Sequence, residues 1–148
     1  MRSLPLLLLL GACPVGADLV DAGDAVDAGV TGPGFADTYA LFTGHGCDGC
    51  HSPGGPPQGD LDLSTEDVAF AQLVGVVASG PFCGQSPHTR VVAGDADASL
   101  LYQKLALTQD CGLGMPMHEG PGPPGGAQTF TADELLVVHA WIVGGAAR

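Results

Sequence analysis

An all-α fold, with short helices joined by long glycine- and proline-rich loops, is what the sequence predicts, and three observations carry it. Apolar residues recur at helical spacing in several places, no stretch shows a strand-like alternation of comparable strength, and 24 glycines and 12 prolines among 148 residues assign much of the chain to turns and loops. The length suits one folded unit with tails.

The chain begins with Arg2 and then Leu4 to Leu10, an apolar run broken only by Pro5. A helix needs about 20 apolar residues to cross a bilayer, so the run reads as an export signal and not as a span. It ends in Leu10-Gly11-Ala12-Cys13, which resembles the bacterial lipobox, where small residues precede a cysteine that becomes acylated. The expectation is a lipoprotein signal peptide over residues 1–12, a lipid on Cys13, and an exported bacterial protein held by that lipid in the periplasm or at the outer membrane.

Residues 13–34 predict an acidic, flexible tether. From Ala17 onward the segment is mostly Ala, Asp, Gly and Val, with near repeats at Val20–Gly23 and Val26–Gly29 and no aromatic residue before Phe35. It cannot bury enough apolar surface to offset its chain entropy, and its aspartates repel one another.

The folded domain is expected over residues 35–146. Phe35, Tyr39 and Phe42 share one face of a first helix. After a loop at 53–60, Ser64 is placed to cap a helix over 66–77. Asp97 or Ser99 is placed to cap another within 95–106, where Leu100, Leu101 and Leu105 with Lys104 lie one turn apart. A second long loop covers 108–129. Thr131 and Glu134 have capping-box spacing for a last helix that carries Val137, Val138, Trp141 and Ile142 and stops at Gly144 and Gly145. Trp141 is expected in the core, His45 and His88 on surface loops, and His139 on the flank of the last helix.

The chain holds 4 basic and 16 acidic residues. Removing the signal would leave only Arg90, Lys104 and Arg148 as cations. Such a surface argues against nucleic acid and against anionic lipid head groups, both of which need Lys and Arg, and is compatible with a basic protein partner.

The 5 cysteines sort without remainder if Cys13 carries lipid, Cys47 and Cys50 belong together, and Cys83 pairs with Cys111. That last pair would close a loop of about 29 residues, worth ~3 to 4 kcal/mol. Cys47-Asp-Gly-Cys50-His51 is the CxxCH pattern of covalent haem attachment. Positions i and i+3 share a helical face, so both sulfurs can reach one porphyrin, and the adjacent His51 can ligate its iron. A shuffled chain of this composition contains the pattern in roughly 0.6% of cases. The competitors are a redox dithiol, which lacks a βαβ context, and a zinc site with His45, whose four donors would be crowded into seven residues.

A second axial ligand is sought in Cys111-Gly-Leu-Gly-Met-Pro-Met-His118. Glycines allow close backbone approach and Pro116 stiffens the turn. Met115 is the first choice, with Met117 and His118 as alternatives. A methionine beside a histidine raises the reduction potential and favours electron transfer over binding of small oxidants.

Four stretches together resemble the class I-like c-type cytochrome domain found in secreted proteins of myxobacteria and planctomycetes. They are Gly46–His51, Val91–Lys104, Cys111–Pro116 and Ala140–Ala146, in that order. The resemblance implies a small cytochrome c-like helical bundle around one covalent haem c, with thioether bonds at Cys47 and Cys50, His51 proximal and Met115 distal, and it also suggests the Cys83–Cys111 disulfide. The insert Gly120–Gly126 departs from the pattern by lengthening the loop after the methionine.

The function expected is therefore electron transfer by a membrane-anchored mono-haem carrier with redox proteins as partners, not an enzyme. The alternative is a haem-free surface lipoprotein with disulfides or zinc.

Overall fold

The computed structural model describes residues 32–53, 58–85, 88–117 and 129–148. The expected signal, Cys13, most of the tether, His118 and the Gly120–Gly126 insert lie outside the described residues. Within them are four α-helices: α1 (Phe35–Gly44), α2 (Glu66–Leu73), α3 (Leu100–Leu105) and α4 (Ala132–Val143), with 3-10 turns at Cys47–Gly49 and Gln58–Asp60. The described residues form no strand, only isolated bridges such as Val74 with Val91 and Val77 with Thr89. The fold is helical, as the periodicity predicts.

α1 packs on α4 and α2, and α3 packs on α4. Phe35, Phe42, Leu73, Val91, Val138, Trp141 and Ile142 make the buried centre. Phe35 lies with its ring centroid 5.0 Å from that of Trp141 and 5.1 Å from that of Phe70, so three elements meet at one aromatic cluster. The Trp141 indole N–H donates to the Ala147 carbonyl at 2.7 Å, which satisfies a polar group that burial would otherwise penalise.

α4 starts as the sequence predicts. Thr131 Oγ1 accepts from the Glu134 N–H at 3.3 Å, and the Thr131 N–H donates to Glu134 Oε2 at 2.7 Å. It stops at Gly144, and Gly145 takes a φ of 101° that an L side chain resists.

One helix is shorter than expected. α2 ends at Leu73 and is capped by Thr65, not Ser64. The following Val74-Gly-Val-Val77 contains β-branched residues that favour extended backbone. Its polar groups pair with the segment at 88–91: Gly75 N–H to Val91 O at 2.9 Å, Arg90 N–H to Val76 O at 2.7 Å, and Ala78 N–H to His88 O at 2.8 Å.

α3 begins at Leu100 with Ser99 at the N-cap position, one of the two expected starts. The Ser99 hydroxyl caps nothing; it accepts from the Val92 N–H at 2.8 Å and donates to the Asp95 carbonyl at 2.7 Å. Residues 95–99 are thereby held in a turn. The first-turn amides of Leu100 and Leu101 donate instead to the carbonyls of Thr89 and Arg90, at 3.1 and 2.9 Å.

Cys83 and Cys111 form a disulfide across a sequence separation of 28, the pairing that cysteine arithmetic and the family resemblance both suggest. A cross-link over such a span stabilises a domain by about 3 to 4 kcal/mol. It ties the loop that carries Met115 to the segment before His88.

Candidate functional site

α1 delivers the chain to the site. After Gly44 the backbone turns through Gly46, whose φ of 65° is left-handed, and closes a tight turn. The amides of Cys50 and His51 both donate to the Cys47 carbonyl, at 3.2 and 2.9 Å. Cys47, Cys50 and His51 are therefore held on one turn, as the i, i+3 spacing implies. The His51 carbonyl accepts from the Leu63 N–H at 2.7 Å, and the Leu63 carbonyl accepts from the Tyr39 hydroxyl at 3.2 Å. The turn is braced on the helix that precedes it.

Met115 reaches the same place from a separate segment. Its N–H donates to the Lys104 carbonyl at 2.9 Å. The Lys104 ammonium donates to the carbonyls of Leu113 and Cys111, at 2.9 and 3.1 Å. Two glycines make that loop possible. Gly112 has a φ of 62°, and a Cβ there would stand 3.2 Å from Lys104 Nζ; a Cβ on Gly114 would collide with the Leu107 side chain.

These segments enclose an open cavity of about 280 Å³, near the lower limit of ligand sites. Cys47, Cys50, His51, Met115 and Met117 all line it, together with leucines at 61, 63, 73, 100, 101 and 105. Met115 is half-buried against the main core, whereas Met117 is exposed. Phe82 and Leu113 line the cavity while 74% and 62% exposed. A wall of this kind suits a large apolar ligand that would cover it.

The two thiols of the turn are not bonded to each other, although another pair in the same domain is oxidised. Burial, and secondarily Asp48, pushes the Cys47 thiol up to about 11. A neutral thiol is a weak nucleophile, which disfavours Cys47 as the attacking thiol of a redox dithiol. Among the described residues His45, Cys47, Cys50 and His51 do not bring their donor atoms together as a zinc set would need, and His45 Nε2 lies 3.1 Å from Glu134 Oε1.

His45 also corrects an expectation. It is half-buried, stacked on Phe130 at 4.2 Å between centroids, and it lines the cavity, so it is not a free surface residue. His88 likewise is half-buried, with Nε2 3.3 Å from Asp110 Oδ1. His139 lies on the flank of α4 with its ring against Tyr102 at 5.3 Å, and Trp141 is in the core.

Sequence reasoning passed over Arg90. It is 7% exposed and lines the cavity. Its guanidinium donates to the carbonyls of Gln72 at 2.9 Å, Asp60 at 2.8 Å and Gly59 at 3.1 Å. Among the described residues no carboxylate is within ion-pair reach of it; burial lowers its pKa, and the Asp60 charge opposes that from farther away. A buried cation in the lining of a largely apolar cavity favours a ligand that carries an anionic group. The signal was present in the sequence as scarcity: Arg90 and Lys104 are two of only 4 basic residues, and both line this cavity.

The donor set is compatible with a covalently attached haem: two thiols on one turn, an adjacent imidazole, a thioether from a separate loop, largely apolar walls and two cations in the lining. Comparison with protein-family models, curated proteins and solved structures returned no match. Among the described residues no helix is long and apolar enough to cross a membrane.

Proposed function

We propose that this protein is a one-electron carrier, a c-type cytochrome in which haem c is bound through Cys47 and Cys50 and ligated by His51 and Met115. The observation that carries the reading is convergence: four side chains from two segments, singled out by motif, line one apolar cavity. The group itself would supply an iron couple that gains and loses an electron without a change in the polypeptide.

The residues of the chain hold and tune it. Cys47 and Cys50 fix the group to the turn after α1. His51 would offer an imidazole nitrogen to the iron, and Met115, on the loop secured by Lys104, would offer a sulfur. With the group bound, the apolar part of the wall would limit water around it and favour its less charged state. Arg90 places a positive charge where an anionic substituent would otherwise be buried unpaired.

Export, with a lipid on Cys13 and an acidic tether to residue 34, belongs to the same proposal and rests on residues 1–34 of the sequence. It would place the carrier in the periplasm or at the outer membrane, serving redox proteins whose contact surfaces are basic.

Intact mass of the chain exported from a host with haem c maturation tests the attachment. The expected mass is that of the polypeptide plus one haem, lost when Cys47 and Cys50 are both replaced by Ala. Carbon monoxide tests the role: a carrier with sulfur on the iron leaves its reduced spectrum unchanged, whereas an enzyme or gas sensor with an open position binds the gas. A haem-free mass with stoichiometric zinc would favour the zinc lipoprotein instead.

A further inference from the structure

The disulfide stands beside two side chains that electron transfer does not use. Donor atoms of His88, Asp110 and Cys111 lie within 4.8 Å of one another, and Cys83 Sγ, outside that group, is bonded to Cys111 Sγ and would have to swing toward it to act as a fourth donor. Among the described residues this is the one group of His, Cys, Asp and Glu side chains whose donor atoms converge. In the disulfide the sulfurs are not thiolates and make poor ligands.

We propose that reduction of Cys83–Cys111 converts this corner into a zinc site formed by two thiolates, the His88 imidazole and the Asp110 carboxylate. A dithiol reductant would give two electrons and two protons to the sulfur–sulfur bond and itself close to a disulfide. Zinc(II) then takes the place of the two thiol protons, which leave to water. Two sulfurs, one nitrogen and one oxygen are a donor set that zinc accepts in tetrahedral geometry.

Charge and room both suit the change. Two thiolates and a carboxylate exceed the zinc charge by one, and the Lys104 ammonium, 3.1 Å from the Cys111 carbonyl, supplies a neighbouring positive charge. The sulfurs must separate to sit on a metal; Gly84 is held by its N–H, which donates to the Gly80 carbonyl at 2.7 Å, so the adjustment falls on the Asp110–Gly112 side of the bond, where Asp110 and Gly112 are exposed. Asp110 is exposed and His88 half-buried, so the ion reaches the site from solvent. Zinc would then hold the Met115 loop to Cys83 in place of the disulfide.

The test uses the full chain with Cys13→Ser, Cys47→Ser and Cys50→Ser, so that only these two thiols remain. Zinc is titrated against a chromophoric chelator before and after dithiol reduction, with helix content followed by circular dichroism. The expected result is one zinc per reduced chain, none on the oxidised chain, retained or zinc-restored helix, and at least about tenfold weaker binding in His88→Ala and in Asp110→Asn. Absent binding, equal binding by the oxidised chain, affinity unmoved by both substitutions, or helix lost on reduction and not restored by zinc would overturn it. Cys47 and Cys50 are missing from this variant, so its outcome is independent of the haem reading.

Discussion

His45 and Glu134 meet at 3.1 Å, joining the residue that caps the end of α1 to the first turn of α4. Glu134 acts in two directions. Oε1 faces the His45 ring, while Oε2 accepts from the backbone N–H and the hydroxyl of Thr131, at 2.7 and 3.0 Å. The turn that begins at Cys47 is thus anchored through His45 to the start of the helix that carries Trp141.

The Thr131 backbone N–H, with help from the His45 and Thr131 side chains, holds the Glu134 carboxyl below the usual glutamate value of 4.5. A carboxyl lowered in the folded state contributes stability that is present above its unfolded pKa and lost as pH falls through its folded one. Wild-type stability should therefore decline below about pH 4.5, with Glu134→Gln removing part of that slope and Thr131→Ala costing about 1 kcal/mol. Urea unfolding at a series of pH values checks this; identical slopes in wild type and Glu134→Gln would contradict it.

Arg90 serves three backbone carbonyls from one planar fork. Arg90→Met should lower the unfolding free energy by about 2 to 4 kcal/mol, because three hydrogen bonds from a charged donor are lost and the carbonyl of half-buried Gln72 is left without it. Arg90→Lys should recover less than half, since an ammonium cannot reproduce the fork. Denaturant midpoints of the two variants decide the point.

Lys104 ties its own helix to the Met115 loop. Lys104→Met keeps the stem but removes the donor to Cys111 and Leu113, and should cost about 1.5 to 3 kcal/mol. Hydrogen exchange should quicken at residues 111–117 and remain slow in α4. Uniform acceleration across the domain would mean that the lysine supports the whole fold and not the loop.

The two methionines should separate cleanly. Met115→Ala should abolish the sulfur-to-iron absorption band of the oxidised protein with haem still attached, whereas Met117→Ala should preserve it. The reverse pattern would move the ligand to Met117.

Much of this was legible from residues alone. The Phe35-Tyr39-Phe42 spacing and the Thr131–Glu134 box give α1 and α4, because both depend on local periodicity and capping that the chain carries with it. The start of α3 after Ser99 was legible, but the end of α2 and the role of the Ser99 hydroxyl were not. The first depends on pairing between 74–78 and 88–91, which is non-local: Val74 to Val77 leave the helix because partners wait for their amides. The second depends on the Asp95–Ser99 turn, which takes the hydroxyl. Motif and loop chemistry gave Cys47, Cys50, His51 and Met115 as candidate site residues. His45 and Arg90 were missed because their roles come from Glu134, Phe130 and the carbonyls at 59, 60 and 72, contacts made only on folding.

The central claim is tested most directly by the absorption spectrum of the exported protein, reduced in alkaline pyridine after extraction with acidified acetone. The account requires a c-type haemochrome that stays with the polypeptide, at one haem per chain. A colourless polypeptide, or haem that passes wholly into the acetone, would contradict covalent attachment at Cys47 and Cys50.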